Sequence, residues 1–221
     1  MFTIKLCGIR SVEDARVAAD AGADAIGLNF YSKSKRFVAV ESAAAISAAL
    51  RGQLAVVGLF VNATPAEIGA VLQTMPLDYL QLHGDETPEQ VAEIAQLNVP
   101  IVRALRAGAE GLGPVDDYLA RCREVNAPLA AVLLDAAVTG QYGGTGQQVD
   151  GAMAAGWRRY PGWPPVILAG GLVPENVADA IRQVAPYGVD TASGIESSPG
   201  VKDPAKMRAF AAAARAALAA C

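Results

Sequence analysis

The chain has 221 residues, which suits one domain or two, and α/β barrels commonly fill about 200–250 residues as a single domain. Hydrophobic residues make up 52% and charged residues 18% of the chain, so a large core can be buried and disorder is not expected. The net charge of −4 provides no basic surface for nucleic acid. We therefore expect no nucleic-acid partner, although a small anion site needs only a few donors.

The cysteine content points to a reducing compartment. Cys7, Cys122 and Cys221 are widely separated and form no CxxC pair, which argues against a disulfide framework. The first ten residues contain no apolar stretch long enough for a secretory leader, and no run approaches the roughly 20 apolar residues of a membrane span. These features predict a cytoplasmic protein with no membrane partner.

Short apolar runs typical of buried strands alternate with helical segments along the chain. The runs are Thr3–Leu6, Ala25–Phe30, Ala55–Val61, Tyr79–Leu82, Ile101–Ala104, Ala130–Leu134, Val166–Ala169 and Val189–Ala192. Such alternation indicates parallel strands with helical crossovers, and eight units in this length favour closure. We predict an all-parallel (β/α)8 TIM barrel forming one domain over residues 1–221, with an open doubly wound sheet as the alternative.

Helix starts between the strands carry capping signals. They are Ser11 before Glu13 and Asp14, then Thr64-Pro65-Ala66-Glu67, Thr87-Pro88-Glu89, Val173-Pro174-Glu175 and Asp203-Pro204. The segment Ala137–Gly156 is rich in Gly and Gln, and we expect a long loop there before a short helix.

Cys7 stands where the first strand ends, and barrel active sites lie at the carboxyl ends of strands. Strand alternation places Lys5 and Cys7 on one face and the apolar Ile4 and Leu6 on the other, which should meet the helices. Cys7 is therefore predicted to point into the barrel, with Lys5 one layer below to favour its thiolate. Alternatively, Cys7 is a small buried hydrophobe.

Asp135 ends the sixth strand on the same face as Ala131 and Leu133. A carboxylate at the mouth of a strand is costly unless it is paired or exposed to a site. A thiolate base and a carboxylic acid facing each other suit proton transfer at two atoms of one substrate. The alternative is that Asp135 caps a helix or belongs to a loop.

Gly170-Gly171 follows the seventh strand and Ser193-Gly194 follows the eighth. Barrels often bind phosphate at this position through backbone N–H groups, which glycine allows to approach closely. Two ordinary turns are the alternative. Arg36, in a basic loop after the second strand, could hold a substrate carboxylate or belong to a solvated charge run.

His83 is the only histidine, and we expect it to have a structural or substrate-orienting role because Cys7 and Asp135 fill the proton-transfer roles. No second histidine and no carboxylate cluster supports a metal site. Gly143-Gly144-Thr145-Gly146 lacks the Lys-Ser/Thr pair of a P-loop, and no dinucleotide motif is present.

Motifs along the whole chain resemble, in the same order, those of the phosphoribosylanthranilate isomerase family of tryptophan biosynthesis. They are Lys5-Leu6-Cys7-Gly8-Ile9-Arg10, Ser34-Lys35-Arg36-Phe37-Val38, Gly58-Leu59-Phe60-Val61-Asn62, Leu80–Glu86, Leu133-Leu134-Asp135, Gly143–Gly146, Leu168–Leu172, Asp190–Glu196 and Pro199–Asp203. Two positions depart from the family pattern: Lys35 stands where proline is usual, and Gly151 where an aromatic is usual.

The resemblance implies an Amadori rearrangement of N-(5-phosphoribosyl)anthranilate to 1-(2-carboxyphenylamino)-1-deoxyribulose 5-phosphate. It implies that Asp135 is the general acid and Cys7 the general base. Arg36 matches the residue near the anthranilate carboxylate, and Gly170, Gly171, Ser193 and Gly194 match the phosphate loops. Neither a cofactor nor a metal is implied.

Two other functions remain open from the sequence. One is a related barrel isomerase acting on another amino-sugar phosphate, for which Arg36 would have no anthranilate carboxylate to hold. The other is a barrel that only binds a phosphorylated ligand or serves as a partner subunit, which predicts loss of Cys7 or Asp135. The sequence leaves open whether the chain is a monomer or a homodimer.

Overall fold

A closed barrel of eight parallel strands forms the centre of the protein. A computed structural model of the chain describes residues 1–50, 52–107, 110–136 and 154–220. The strands are β1 (Ile4–Cys7), β2 (Ala25–Asn29), β3 (Ala55–Phe60), β4 (Tyr79–Leu82), β5 (Ile101–Ala107), β6 (Ala131–Ala136), β7 (Val166–Leu168) and β8 (Gly188–Thr191). Because β1 pairs with both β2 and β8, the sheet has no edge, which confirms the predicted (β/α)8 barrel and excludes the open sheet.

Seven α-helices of the described residues surround the barrel. They are α1 (Val12–Asp20), α2 (Val40–Leu50), α3 (Pro65–Thr74), α4 (Pro88–Ala95), α5 (Gly113–Glu124), α6 (Val177–Val184) and α7 (Pro204–Leu218). The described residues also contain two 3₁₀ turns, Ala155–Arg159 and Ser193–Ile195, and a small hairpin of β9 (Glu196–Ser198) with β10 (Val201–Lys202). The hairpin follows β8 after the second 3₁₀ turn, so it adds a wall at the carboxyl end of the barrel.

Four predicted helix starts are confirmed by capping hydrogen bonds. The hydroxyl of Ser11 accepts from the backbone N–H of Asp14, and the carboxylate of Asp203 accepts from two backbone N–H groups of α7. Thr64 and Thr87 each form a complete capping box with a proline in the first turn. Since these caps use only local residues, their sequence patterns were sufficient to predict them.

The helix predicted to start at Val173-Pro174-Glu175 begins later, at Val177. The side chain of Asn176 explains the difference, because its Oδ1 accepts from the backbone N–H of Val173 and its Nδ2 donates to the carbonyl of Gly171. These two bonds hold residues 173–176 as a turn, so the proline lies in that turn and outside α6.

Apolar side chains fill both the interior of the barrel and the layer between strands and helices. The inner cluster consists of Phe2, Ala25, Val57, Val102, Ala104, Ala131, Leu133, Ile167 and Ala169. The outer layer includes Ile4, Leu6, Ile26 and Leu28, which alternate along their strands with inward positions. The inner cluster therefore closes the barrel below the polar residues at its carboxyl end.

Some predictions lie outside the described residues. They are the loop and helix start over most of Ala137–Gly156, including Gly143–Gly146, and Cys221. Across the parts of the chain that the structure describes, no helix has the length and apolar character needed to cross a membrane.

Candidate active site

A cavity of about 630 Å³ opens at the carboxyl ends of the barrel strands. Most of the predicted site residues line it: Cys7, Arg36, His83, Asp135, Gly170, Gly171 and Ser193. Gly194 is not part of the lining, because it lies behind Ser193 against the backbone of Leu172. Residues from β1, β2, β4, β6, β7 and β8 or the loops after them therefore converge on one space.

Cys7 is 4% exposed and lies at the floor of this cavity, as strand alternation predicted. Its neighbour in register on β2 is Gly27. A Cβ at position 27 would lie 2.6 Å from Cys7 Sγ, closer than real contacts allow. Gly27 is therefore required for the thiol to occupy its place at the end of β1.

Lys5 lies one layer below Cys7 and is fully buried. Its Nζ donates to Asp190 Oδ1 on β8 over 2.7 Å. Burial lowers the pKa of Lys5, but attraction to Asp190 and Cys7 outweighs this effect, so the pKa lies above its ordinary value. Lys5 is thus an ammonium group. A Cβ at position 27 would lie 3.2 Å from Lys5 Cε, so Lys5 and Cys7 both pack against Gly27.

Asp135 lies on the other side of the cavity and is 5% exposed. Its Oδ2 lies 3.0 Å from Nε2 of His83 on the β4 side. The other ring nitrogen, Nδ1, lies 3.0 Å from Nε2 of Gln81. The structure therefore brings Asp135, the predicted acid, into contact with His83, the predicted orienting residue. The two residues are 52 positions apart in the sequence.

Arg36 holds a carboxylate in this structure, and that carboxylate belongs to Glu196. Arg36 Nε lies 2.6 Å from Oε1 and a terminal nitrogen lies 2.8 Å from Oε2, a bidentate pair. Lys202 Nζ also donates to Oε1 over 3.0 Å. The second terminal nitrogen of Arg36 takes no part in this pair. That Arg36 holds a substrate carboxylate stays a prediction.

The two cations determine the charge of Glu196. Burial raises the pKa of its carboxyl, but hydrogen bonds and charge from Arg36 and Lys202 outweigh that and lower the pKa below 4.5. For Arg36, burial lowers the pKa, whereas the Glu196 carboxylate raises it above its ordinary value. The Arg36–Glu196 pair is therefore ionised at neutral pH and ties the loop after β2 to the hairpin after β8.

This network makes stability depend on pH. Because the folded-state pKa of Glu196 lies below its unfolded value, its ionisation stabilises the fold above about pH 4.5, and this contribution is lost as pH falls. We expect the free energy of unfolding of the wild type to fall more steeply below about pH 5 than that of Glu196→Gln. Urea unfolding at a series of pH values measures both slopes, and parallel slopes would contradict the assignment.

The backbone at Gly170 and Gly171 has φ angles of 91° and 62°, which L side chains rarely adopt. At position 194 a Cβ would lie 1.9 Å from the carbonyl oxygen of Leu172. Thr191 Oγ1 donates to that same carbonyl over 2.8 Å. The loops after β7 and β8 are thus packed backbone to backbone at Gly194, where a side chain does not fit, and the positive φ angles favour glycine at positions 170 and 171.

Sequence reasoning missed several residues of the site. Lys202 lies in the motif Pro199–Asp203, but its pairing with Glu196 was not predicted, because the contact forms only in the folded hairpin. Gly27 could have been found, since a glycine within a predicted strand often marks a close approach of another group. Arg103 is 3% exposed and pairs with Glu86 over 2.9 Å, which anchors the loop after β4.

The family model for N-(5'-phosphoribosyl)anthranilate (PRA) isomerase matches residues 4–213. The chain belongs to this family. A relative from Azotobacter vinelandii, named N-(5'-phosphoribosyl)anthranilate isomerase, is 51% identical over 209 residues, which is 93% of this chain and 94% of the relative. One from Pseudomonas fluorescens with the same name is 48% identical over 96% of this chain and 97% of its own.

Solved structures of the family have the same architecture. The phosphoribosylanthranilate isomerase of Thermotoga maritima superposes with a TM-score of 0.85 at 35% identity, covering 98% of this chain and 100% of that one. Another family structure, with a TM-score of 0.80 at 33% identity and coverages of 98% and 100%, is a complex with reduced 1-(o-carboxyphenylamino)-1-deoxyribulose 5-phosphate. Membership of the family is therefore supported along nearly the whole chain.

Proposed function

We propose that this isomerase converts N-(5'-phosphoribosyl)anthranilate to 1-(2-carboxyphenylamino)-1-deoxyribulose 5-phosphate, with Asp135 as general acid and Cys7 as general base. The observation that carries the proposal is that both side chains, from β6 and β1, line one cavity at the carboxyl end of the barrel. Those strands are separated by β7 and β8 on the shorter path around the sheet. A substrate in the cavity therefore lies between an acid and a base.

The first step is ring opening. Asp135 donates its proton to the ring oxygen of the ribose, the bond from that oxygen to C1 breaks, and the nitrogen lone pair forms a C1=N iminium. The product of this step is an open-chain hydroxyl and a carboxylate at Asp135. The contact of 3.0 Å between Asp135 Oδ2 and His83 Nε2 supports this role, because it provides a partner for the carboxylate that forms.

The second step is proton removal from C2. Cys7 takes the proton, the C2–H electron pair forms a C1=C2 double bond, and the iminium nitrogen becomes neutral. Loss of the C2 hydroxyl proton and addition of a proton at C1 then give the ketose. Lys5 supports the thiolate that this step needs, since its ammonium lies in the layer below Cys7 and is held there by Asp190.

The two anionic ends of the substrate have separate partners in this proposal. The phosphate binds at the loops of Gly170, Gly171, Ser193 and Gly194, where the two glycines that line the cavity, Gly170 and Gly171, carry no side chain over their backbone N–H groups. The anthranilate carboxylate binds at Arg36, which Glu196 orients by holding Nε and one terminal nitrogen. The glycine φ angles and the Arg36–Glu196 pair support these assignments.

A fluorescence assay of the purified protein tests the reaction. The anthranilate adduct is fluorescent, so its consumption can be followed directly as enzyme is added. We expect the rate of consumption to scale with enzyme concentration and to yield the ketose product. A purified, folded protein that leaves the adduct unchanged would contradict the proposed function.

We further propose that the chain acts in the cytoplasm as one domain over residues 1–221, either as a monomer or as a homodimer. A reducing compartment keeps the Cys7 thiol available as a base, which supports this location. Among the described residues, Cys7 and Cys122 are free cysteines. Sedimentation of the purified protein distinguishes the monomer from the dimer.

A further inference from the structure

Three side chains form a continuous chain of contacts into the cavity. Gln81 and His83 are two residues apart on and just after β4, so they point to the same side of the sheet. Gln81 Nε2 lies 3.0 Å from His83 Nδ1, and His83 Nε2 lies 3.0 Å from Asp135 Oδ2. Gln81 is completely buried, and all three residues line the cavity. The two ring nitrogens of His83 therefore face one amide and one carboxyl group.

The side-chain amide of Gln81 has few other polar groups around it. Its neighbours in register are Leu59 on β3 and Val102 on β5, and both are apolar. Within the described residues, Oε1 of Gln81 is buried without a hydrogen-bond partner. The contact with His83 is therefore the one hydrogen bond that this amide makes among the described residues. With Nε2 facing Nδ1, the amide donates to an unprotonated Nδ1, and the ring proton resides on Nε2.

We propose that Gln81 and His83 are positioning residues for Asp135: Gln81 selects the neutral Nε2–H tautomer of His83, which donates to Oδ2 of Asp135. This inference rests on the proposed acid role of Asp135. That role requires Asp135 to carry a proton before ring opening. A neutral ring meets this requirement, whereas an imidazolium beside Asp135 would favour its ionised form.

The tautomer also places the transferable proton. Because His83 donates to Oδ2, that oxygen accepts, and the proton of the carboxylic acid resides on Oδ1. When Asp135 gives up its proton, the hydrogen bond from His83 to its carboxylate becomes charge-assisted. Such a hydrogen bond is shorter and stronger than one to a neutral carboxyl group. The contact is therefore stronger in the transition state than in the ground state, which is the condition for a contribution to kcat.

Several other charged or titratable groups lie around this chain. Arg106 is the neighbour of Asp135 in register on β5, and Cys7 on β1 lines the same cavity. The adjoining cleft beside His83 and Asp135 is lined by Asp85, Glu86, Arg103, Arg106 and Tyr118. Substitutions at position 83 leave all these groups in place, so a difference between two variants at this position reports on the His83 contact itself.

The single histidine makes the tautomer directly measurable. Nitrogen-15 NMR of the wild-type protein gives one imidazole, whose two nitrogen shifts distinguish the Nε2–H form, the Nδ1–H form and the imidazolium. We expect the neutral Nε2–H form throughout the pH range of activity, and the imidazolium in Gln81→Glu, whose carboxylate accepts a hydrogen bond from a protonated Nδ1. Observation of the imidazolium or the Nδ1–H form in the wild type would overturn the proposal without any variant.

Two substitutions of His83 separate positioning from packing. The side chain of His83→Gln can place an N–H near the Nε2 position, whereas His83→Asn reaches only to the Nδ1 position. We expect His83→Asn to lower kcat roughly 10–100-fold with little change in KM, as loss of a hydrogen bond to a charged group implies, and His83→Gln to recover most of this. The basic limb of the kcat–pH profile should move up by about one pH unit in His83→Asn, because the carboxylate loses a donor.

The result distinguishes this inference from the proposed function. Equal losses in His83→Asn and His83→Gln, with no movement of the basic limb, would show that His83 only packs, even if Asp135→Asn is inactive. Full activity in Asp135→Asn would instead remove the acid role on which the inference rests.

Discussion

Replacing Cys7 by Ala is expected to lower kcat by about 10²–10⁴-fold, the usual contribution of a positioned acid or base. Without the thiol, no base at the floor of the cavity would remove the C2 proton of the iminium. The residues proposed to bind the substrate would remain in place. Alanine fits at position 7 because it is smaller than cysteine, so it makes no new contact with Gly27. We therefore expect KM to change little, and steady-state kinetics with the fluorescent adduct measures both constants.

Cys122→Ala is the matched control for this experiment. Cys122 is a second buried cysteine, 2% exposed, and it belongs to α5 and does not line the cavity. The same chemical change should therefore leave kcat within about a factor of two, the range of a substitution that does not touch the chemistry. Near-normal turnover in Cys7→Ala, with a circular dichroism spectrum like the wild type, would contradict the base role.

Replacing Asp135 by Asn is expected to cost a similar 10²–10⁴-fold in kcat, because an amide cannot protonate the ring oxygen. Asn keeps the size of the side chain and can still accept a hydrogen bond from His83, so the fold and the contact to β4 should persist. The defect should be confined to ring opening. Single-turnover kinetics would then show no accumulation of the open-chain intermediate.

Asp179→Asn provides the comparison for Asp135. Asp179 lies on α6, where its side chain is 80% exposed and pairs with Arg182 on the surface. Such a pair contributes little to stability, so this variant should match the wild type in kcat and in unfolding. Activity in Asp135→Asn comparable to that of Asp179→Asn would remove Asp135 from the mechanism.

The barrel itself could be predicted from the sequence because its signals are local. Each strand is a short apolar run, and the caps at Ser11, Thr64, Thr87 and Asp203 involve residues within three positions of one another. The start of α6 was misplaced for the same reason. Its proline-and-acid pattern resembled a cap, but the bonds from Asn176 to Val173 and Gly171 form a turn instead.

The inward direction of Cys7 and Asp135 could also be predicted, because side chains alternate along a strand whatever its neighbours are. The partners of these residues could not. Lys5 bonds to Asp190, which is 185 positions away, and Arg36 bonds to Glu196, which is 160 positions away. Arg36 shows the consequence: its hold on a substrate carboxylate stays a prediction, and nothing along the sequence indicated its bidentate pair with Glu196.

The sequence by itself determined the order of strands and helices, the closed barrel and the end of the barrel that carries Cys7 and Asp135. Only the tertiary structure decided the charge network beneath them and the contact from Gln81 through His83 to Asp135. The physical reason is that periodicity and capping depend on neighbours along the chain. Hydrogen bonds and ion pairs between strands depend on the register of the barrel, which brings distant residues to within about 3 Å.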